Sequence, residues 1–137
     1  MTRIFTNGTF DVLHPGHIAL LQYAASLGDY LLVALDSDER VSARKGPSRP
    51  VNSLYARTTL MSALRGVDEV RSFSSDAELE AIVEDYCPSV MVVGSDWRGK
   101  RIVGAQHAAR VEYFERTTSD STSEILNNYL LRLREKF

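Results

Sequence analysis

Apolar and polar positions alternate between two periods along this 137-residue chain, and each change of period marks an element. Arg3 to Thr6 reads as a short strand that runs through Asn7-Gly8-Thr9-Phe10-Asp11 into a segment where Ile18, Leu21, Ala24, Ala25 and Leu27 recur at helical spacing. Gly28 stops that helix. Tyr30 to Leu35 is almost continuously apolar, the pattern of a strand buried on both faces, and it ends in the polar cluster Asp36-Ser37-Asp38-Glu39. From Ser42 to Asn52, Arg44, Lys45, Gly46, Pro47, Ser48, Arg49 and Pro50 predict a basic loop, neither helix nor central strand.

Ser53 can cap a helix with Leu54, Leu60, Met61 and Leu64 on one side, ending near Gly66, and a strand follows at Glu69 to Phe73. Ser75 or Asp76 caps a helix carrying Leu79, Ile82, Val83 and Tyr86, and Val90 to Val93 is a second fully apolar run, ending at Gly94. Next come a loop with Asp96, Trp97, Gly99 and Lys100, a short helical stretch near Ala105 to Ala109, and a strand at Val111 to Phe114. The last helix starts at about Thr122, with Ile125, Leu126, Tyr129, Leu130 and Leu133 as its buried stripe. Strands alternating with helices imply right-handed crossovers. The expected fold is therefore α/β, one Rossmann-like domain over residues 1–137, with a doubly wound, parallel, five-stranded sheet and helices on both faces. Ligands of such sheets bind outside the carboxyl ends of the strands, where the strand order switches direction.

Composition narrows the function. A hydrophobic content of 44% suits a globular core, and a net charge of -2 with mixed signs gives no basic field for collecting nucleic acid. No run approaches the roughly 18 apolar residues of a membrane span, and the N-terminus has no secretory hydrophobic region, so a cytoplasmic protein is expected. Cys87 is the sole cysteine and reads as a buried thiol before the turn at Pro88, without a disulfide or thiolate metal cluster within the chain.

The chemistry concentrates in the first turn, Thr9-Phe10-Asp11-Val12-Leu13-His14-Pro15-Gly16-His17, where two histidines three residues apart straddle a helix start. Free amides and the positive helix end stabilise an anion there, Gly16 permits close approach of a phosphate, and Pro15 suits the first helical turn. Alone, such a four-residue pattern is a helix cap with two surface histidines. Its setting, with a strand before it, a helix after it and polar segments at later strand ends, points to phosphate chemistry.

Asn7 to Asp11 followed by His14-Pro15-Gly16-His17 resembles the first motif of the cytidylyltransferase-like nucleotidyltransferase superfamily. The likeness continues at Arg57, at Arg65 to Val70, at Gly94 to Lys100, and at Arg116-Thr117 with Ser121-Thr122. It is strongest toward glycerol-3-phosphate cytidylyltransferases and heptose 1-phosphate adenylyltransferases. The resemblance implies that His14, His17 and Lys45 are catalytic. It also implies that Thr9, Phe10, Gly16, Arg57, Arg65, Gly94, Asp96, Arg116, Thr117, Ser121 and Thr122 bind the nucleotide, with Asp68 orienting one of the helix arginines. Magnesium, a nucleoside triphosphate, a phosphorylated small-molecule acceptor and a homodimer are its further implications. Ser119 departs from the glycine common at that position. Arg65, Asp68 and Asp96-Trp97 lean toward CTP and an alcohol phosphate such as glycerol 3-phosphate, while Lys45 to Asn52 resembles the version in enzymes using ATP and a sugar 1-phosphate. The sequence puts CTP first, ATP second, and a non-catalytic nucleotide-binding protein third.

Overall fold

The computed structural model describes residues 1–115 and 121–136. Its sheet comprises β1 (Arg3–Gly8), β2 (Tyr30–Asp36), β3 (Glu69–Phe73), β4 (Val90–Gly94) and β5 (Arg110–Phe114), all parallel in the order β3-β2-β1-β4-β5. The five expected strands are thus present, within a residue or two of the boundaries their apolar runs gave. Around them lie α1 (Pro15–Ser26), α2 (Asp38–Lys45), α3 (Leu54–Ser62), α4 (Asp76–Tyr86) and α5 (Thr122–Lys136).

The apolar runs of β1, β2 and β4 are buried on both faces because each face meets its own helical layer. Ile4, Leu31, Val33 and Leu35 pack with Leu21 and Ala24 of α1 and Met61 of α3. On the other face, Phe5, Leu32, Ala34 and Met91 pack with Leu79, Val83 and Tyr86 of α4. Burying each such side chain stabilises the fold by about 1.5–3 kcal/mol. No helix among the described residues is long and apolar enough to cross a membrane.

Four expectations change. The basic segment begins later than expected, because Asp38–Lys45 is helical. Ser37 Oγ accepts the Arg40 amide, Asp38 and Glu39 occupy the first turn, Arg44 and Lys45 the last, and Val41 is fully buried, so cap and dipole favour a helix that composition hid. Helix α3 stops at Ser62, leaving Leu60 exposed and placing Arg57 in the buried face instead. Tyr129 and Leu130 on α5 are exposed rather than buried, since periodicity reveals an apolar face without showing how much of it a neighbour covers. Cys87 is exposed too, because it ends α4 in the left-handed conformation, at φ 51°, and turns outward before Pro88.

Between β4 and β5 the chain makes two short 3-10 turns, Ser95–Trp97 and Ala105–His107, and Gly104 starts the second at φ 85°. A Cβ at Gly104 would sit 2.7 Å from Val83 Cγ2, against the middle of α4. Gly104→Ala should therefore lower stability by about 1–3 kcal/mol through left-handed strain plus overpacking, read as a lower urea midpoint. An unchanged midpoint would show that this close approach does not hold the segment to α4.

Candidate active site

Strand β1 pairs with β2 along its whole length, Arg3–Gly8, but with β4 only at Ile4 and Phe5. Beyond Met91 the two strands part, and Thr6 Oγ1 spans the gap to the Val92 carbonyl at 2.9 Å. This divergence is the point where the sheet order reverses, and a crevice of about 430 Å³ opens above it.

The turn leaving β1 forms the crevice floor. Phe10 adopts φ 48°, a left-handed conformation costly to a residue with a Cβ. Its ring folds back so far that a Cβ on Gly8 would meet it at 3.0 Å. The ring then packs against His17, with centroids 5.2 Å apart. His14 caps α1, its Nδ1 accepting the Gly16 amide at 3.1 Å, while His17 Nδ1 accepts the His14 amide at 3.3 Å. The two rings stack at 3.7 Å. A backbone N–H can only donate, so each Nδ1 presents its lone pair to the backbone and each neutral ring carries its proton on Nε2. His17 lines the crevice, whereas His14 is buried behind it.

Two buried charges hold this turn in place. Asp11, 2% exposed, accepts the Val51 and Asn52 amides, both at 2.8 Å, and pairs with Arg49 Nε at 3.1 Å. Burial alone would raise its carboxyl, but the amides of Asn52 and Val51 and the Arg49 guanidinium outweigh that and hold it below its ordinary 3.8. Arg57, 1% exposed, donates to the carbonyls of Thr9, Asp36 and Asn52 and to Asp38 Oδ1 at 2.7 Å. Arg57 is thus committed to the walls and positions other residues; it does not line the crevice.

The walls differ in chemistry. On the β4 side stand Val93, Gly94, Asp96, Trp97, Ile102 and Val103. A Cβ on Gly94 would meet Asp96 Oδ1 at 2.6 Å, so glycine lets that carboxylate fold back over the strand end. On the β2 side stand Asp36, Arg40, Arg44 and Lys45. Arg44 pairs with Asp36 at 3.1 Å and Arg40 with Asp76 at 2.6 Å, while Lys45 and Arg101 are in no ion pair among the described residues. The Lys45 ammonium lies below its ordinary 10.5, first through burial and then through repulsion from Arg49 and Arg44, with Asp11 and Asp36 pulling the other way.

Of the residues singled out from sequence, Thr9, Phe10, His17, Lys45, Gly94, Asp96 and Thr122 line the crevice. His14 and Gly16 form the cap behind it, and Ser121 Oγ accepts the Glu124 amide at the start of α5, while Thr122 Oγ1 donates to the Val12 carbonyl. Arg65 does not join them: α3 ends at Ser62, and Arg65 sits exposed in the turn that follows. Asp68 pairs with neither Arg57 nor Arg65; its Oδ2 accepts the Leu31 amide at 2.8 Å. Arg116, Thr117 and Ser119 lie outside the described residues. Asp36, Arg40 and Arg101 also line the crevice, although the sequence assigned them no role; Asp36 and Arg40 lie in the polar stretch that ends β2 at the ligand edge of the sheet.

Known proteins share the family and the fold of this chain. A family model described as cytidylyltransferase-like matches residues 5–128. Bifunctional protein HldE of Campylobacter fetus subsp. fetus is 40% identical over 126 residues, covering 92% of this chain and 27% of the relative. The HldE of Gluconobacter oxydans is 48% identical over 102 residues, covering 74% of this chain and 21% of the relative. The chain therefore spans about a quarter of the length of the curated relatives it matches. A solved lipopolysaccharide core biosynthesis protein from Thermoplasma volcanium superimposes with a TM-score of 0.66 at 26% identity, covering 88% of this chain and 99% of that one.

Because the folded carboxyl of Asp11 lies below its unfolded value, its contribution is full above the unfolded value and is lost as pH falls through the folded one. Asp11→Asn should cost about 2–4 kcal/mol at neutral pH, since an amide group then faces amide donors. Urea unfolding followed against pH should show the gap between the two proteins closing only below about pH 3.8. Equal stability at pH 7 would remove Asp11 from this structural role.

Proposed function

Because the chain belongs to the cytidylyltransferase-like family of nucleotidyltransferases, we propose that its crevice transfers a nucleotidyl group from a nucleoside triphosphate to a phosphorylated small molecule, releasing pyrophosphate. We further propose that the donor is ATP and the acceptor a sugar 1-phosphate such as heptose 1-phosphate. The observation that carries the reaction class is the stacked histidine pair on the α1 N-terminus, with both Nδ1 atoms bound to backbone amides. That arrangement fixes two imidazoles at a helix start, which already favours negative charge.

In this reading an oxygen of the acceptor phosphate attacks the α-phosphorus in line, forming the new P–O bond as the bond to the β-phosphate oxygen breaks. Pyrophosphate leaves toward Ser121 and Thr122. The acceptor is already ionised, so no general base is required, and rate enhancement comes from positioning and charge stabilisation by His14, His17 and Lys45. Among the described residues no group of three or more His, Cys, Asp or Glu is placed to hold a metal ion, and Asp11 and Asp36 are each paired with an arginine. In this proposal magnesium arrives with the triphosphate and keeps much of its water.

Two observations favour ATP over the CTP reading that the sequence puts first. Arg65 and Asp68, which lean toward CTP, stand away from the crevice or serve β2, and the relatives at 40–48% identity are HldE proteins, which we read as the heptose adenylyltransferase side of the family. The lipopolysaccharide core biosynthesis neighbour supports a sugar acceptor. Asp96 and Trp97 do line the crevice and keep CTP with glycerol 3-phosphate as the second reading. A panel of ATP, CTP, GTP and UTP against both acceptors, scored by pyrophosphate release, separates them; release with none of the pairs would defeat both. A homodimer, as in the family resemblance, is the assembly we propose, testable by sedimentation.

His17→Ala should lower kcat by about 10²–10³, the size of losing one charge-stabilising donor, with the unfolding midpoint little changed. Near-wild-type kcat would show that the imidazole takes no part. Lys45 acts protonated, so kcat/KM should fall as pH rises through its lowered value, beginning below 10.5. Lys45→Arg should shift that alkaline limb upward, and an unshifted limb would assign it to another group.

A further inference from the structure

A carboxylate inside a crevice built for phosphates is an electrostatic liability, and Asp36 is one at 2% exposure. The main chain does not need it there. Arg57 already holds the end of β2 through the Asp36 carbonyl, at 2.8 Å. Nor does the backbone bind the carboxylate itself: its described partners are the Thr9 hydroxyl at 3.4 Å and Arg44 at 3.1 Å, both to Oδ2. The Asp11–Arg49 pair differs, being locked by two backbone amides. The Arg44 side chain is 47% exposed and springs from the last turn of the short helix α2, beside Lys45, so it can swing without disturbing the core.

We propose that Asp36 and Arg44 form an exchangeable pair that selects the acceptor, whose phosphate takes Arg44 while a hydroxyl on the neighbouring carbon donates to Asp36. This rests on the sugar 1-phosphate reading and gives its selectivity a structural source. A phosphate without an adjacent hydroxyl would capture Arg44 and leave a buried carboxylate uncompensated, which is expensive. A ligand carrying both groups replaces both partners at once. In a sugar 1-phosphate the 2-hydroxyl stands next to the phosphate-bearing carbon. The pair thus admits polyhydroxylated phosphates and disfavours inorganic phosphate, pyrophosphate and deoxy analogues, a case of discrimination by penalty as well as attraction.

Calorimetric titration with inorganic phosphate, mannose 1-phosphate and its 2-deoxy counterpart tests this on the full chain. Wild-type protein should prefer mannose 1-phosphate over the deoxy compound by about 10- to 100-fold, the worth of one hydrogen bond to a charged group. Asp36→Asn should erase most of that preference and bind inorganic phosphate tighter than wild type, by roughly 3- to 10-fold, because Arg44 no longer has to leave a carboxylate. A merely structural Asp36 would not raise an affinity when replaced. Should Asp36→Asn fail to fold, Arg44→Gln serves instead, because its side chain is half exposed; it should weaken mannose 1-phosphate at least about fivefold. The proposal is overturned by a wild-type protein that binds both sugars alike or neither, by an Asn variant that keeps the preference, or by unchanged affinity in the Gln variant. ATP titrated alone distinguishes the two failures: absent ATP binding defeats the nucleotidyltransferase reading, whereas intact ATP binding with no sugar discrimination defeats only the exchange.

Discussion

The guanidinium of Arg57 is sealed from solvent, and the protein must satisfy its charge internally. It does so with three main-chain oxygens from separate places, Thr9 in the turn after β1, Asp36 at the end of β2 and Asn52 before α3, plus the Asp38 carboxylate. Removing a buried charge's partners is far costlier than any one of these bonds is strong, so the three segments are forced to converge. Asp11 is the complementary constraint, an anion that takes the amides of Val51 and Asn52. Asn52 thus offers its carbonyl to the buried cation and its amide to the buried anion. The crevice has fixed walls because two opposite charges, buried separately, both draw on one short loop.

That fixed frame gives the sheet's switch point its asymmetry. Where β1 and β4 part, the β4 wall combines Val93, Ile102 and Val103 with one aromatic edge at Trp97, a surface suited to a flat base with a few polar groups. The β2 wall carries Arg44 and Lys45 from the end of α2, whose first turn holds Asp38, one of Arg57's partners. The helix that aims cations into the crevice is therefore anchored by the same guanidinium that aligns the strand ends.

How legible this was in the sequence depends on whether a feature is local. The strands were readable because a run such as Leu31 to Leu35 is buried on both faces and shows as an unbroken apolar segment. The histidine turn was readable because strand, proline, glycine and helix must follow one another within a dozen or so residues. Helix α2 was missed although its signals were local: Ser37, Asp38 and Glu39 at one end and Arg44 and Lys45 at the other form a cap and a matched dipole, and the prolines that suggested a loop begin only after Gly46. The role of Arg57 was not legible, because its partners lie 5, 19, 21 and 48 residues away and meet only through the sheet. The pairing of Asp36 was hidden likewise, since Arg44 folds back from the far end of α2 to meet it.

Motif residues accordingly divide by what they touch. Asp68 belongs to a recognisable run, yet its carboxylate serves the Leu31 amide of β2; Arg57 belongs to another, yet it never reaches the crevice surface. Of the groups that line the crevice, His17 has its Nδ1 held by a backbone amide, and Lys45 is in no ion pair among the described residues. The chain's net charge is -2 and Arg40, Arg44 and Arg49 each answer an aspartate, so bulk attraction contributes little to drawing in an anion. Attraction for an anion comes instead from local groups, the N-terminus of α1 and the cations Lys45 and Arg101, which no ion pair among the described residues consumes. Where a cation is already paired, as Arg44 is with Asp36, an anion must displace a carboxylate to reach it, and that cost gives a form of specificity a uniformly basic pocket lacks.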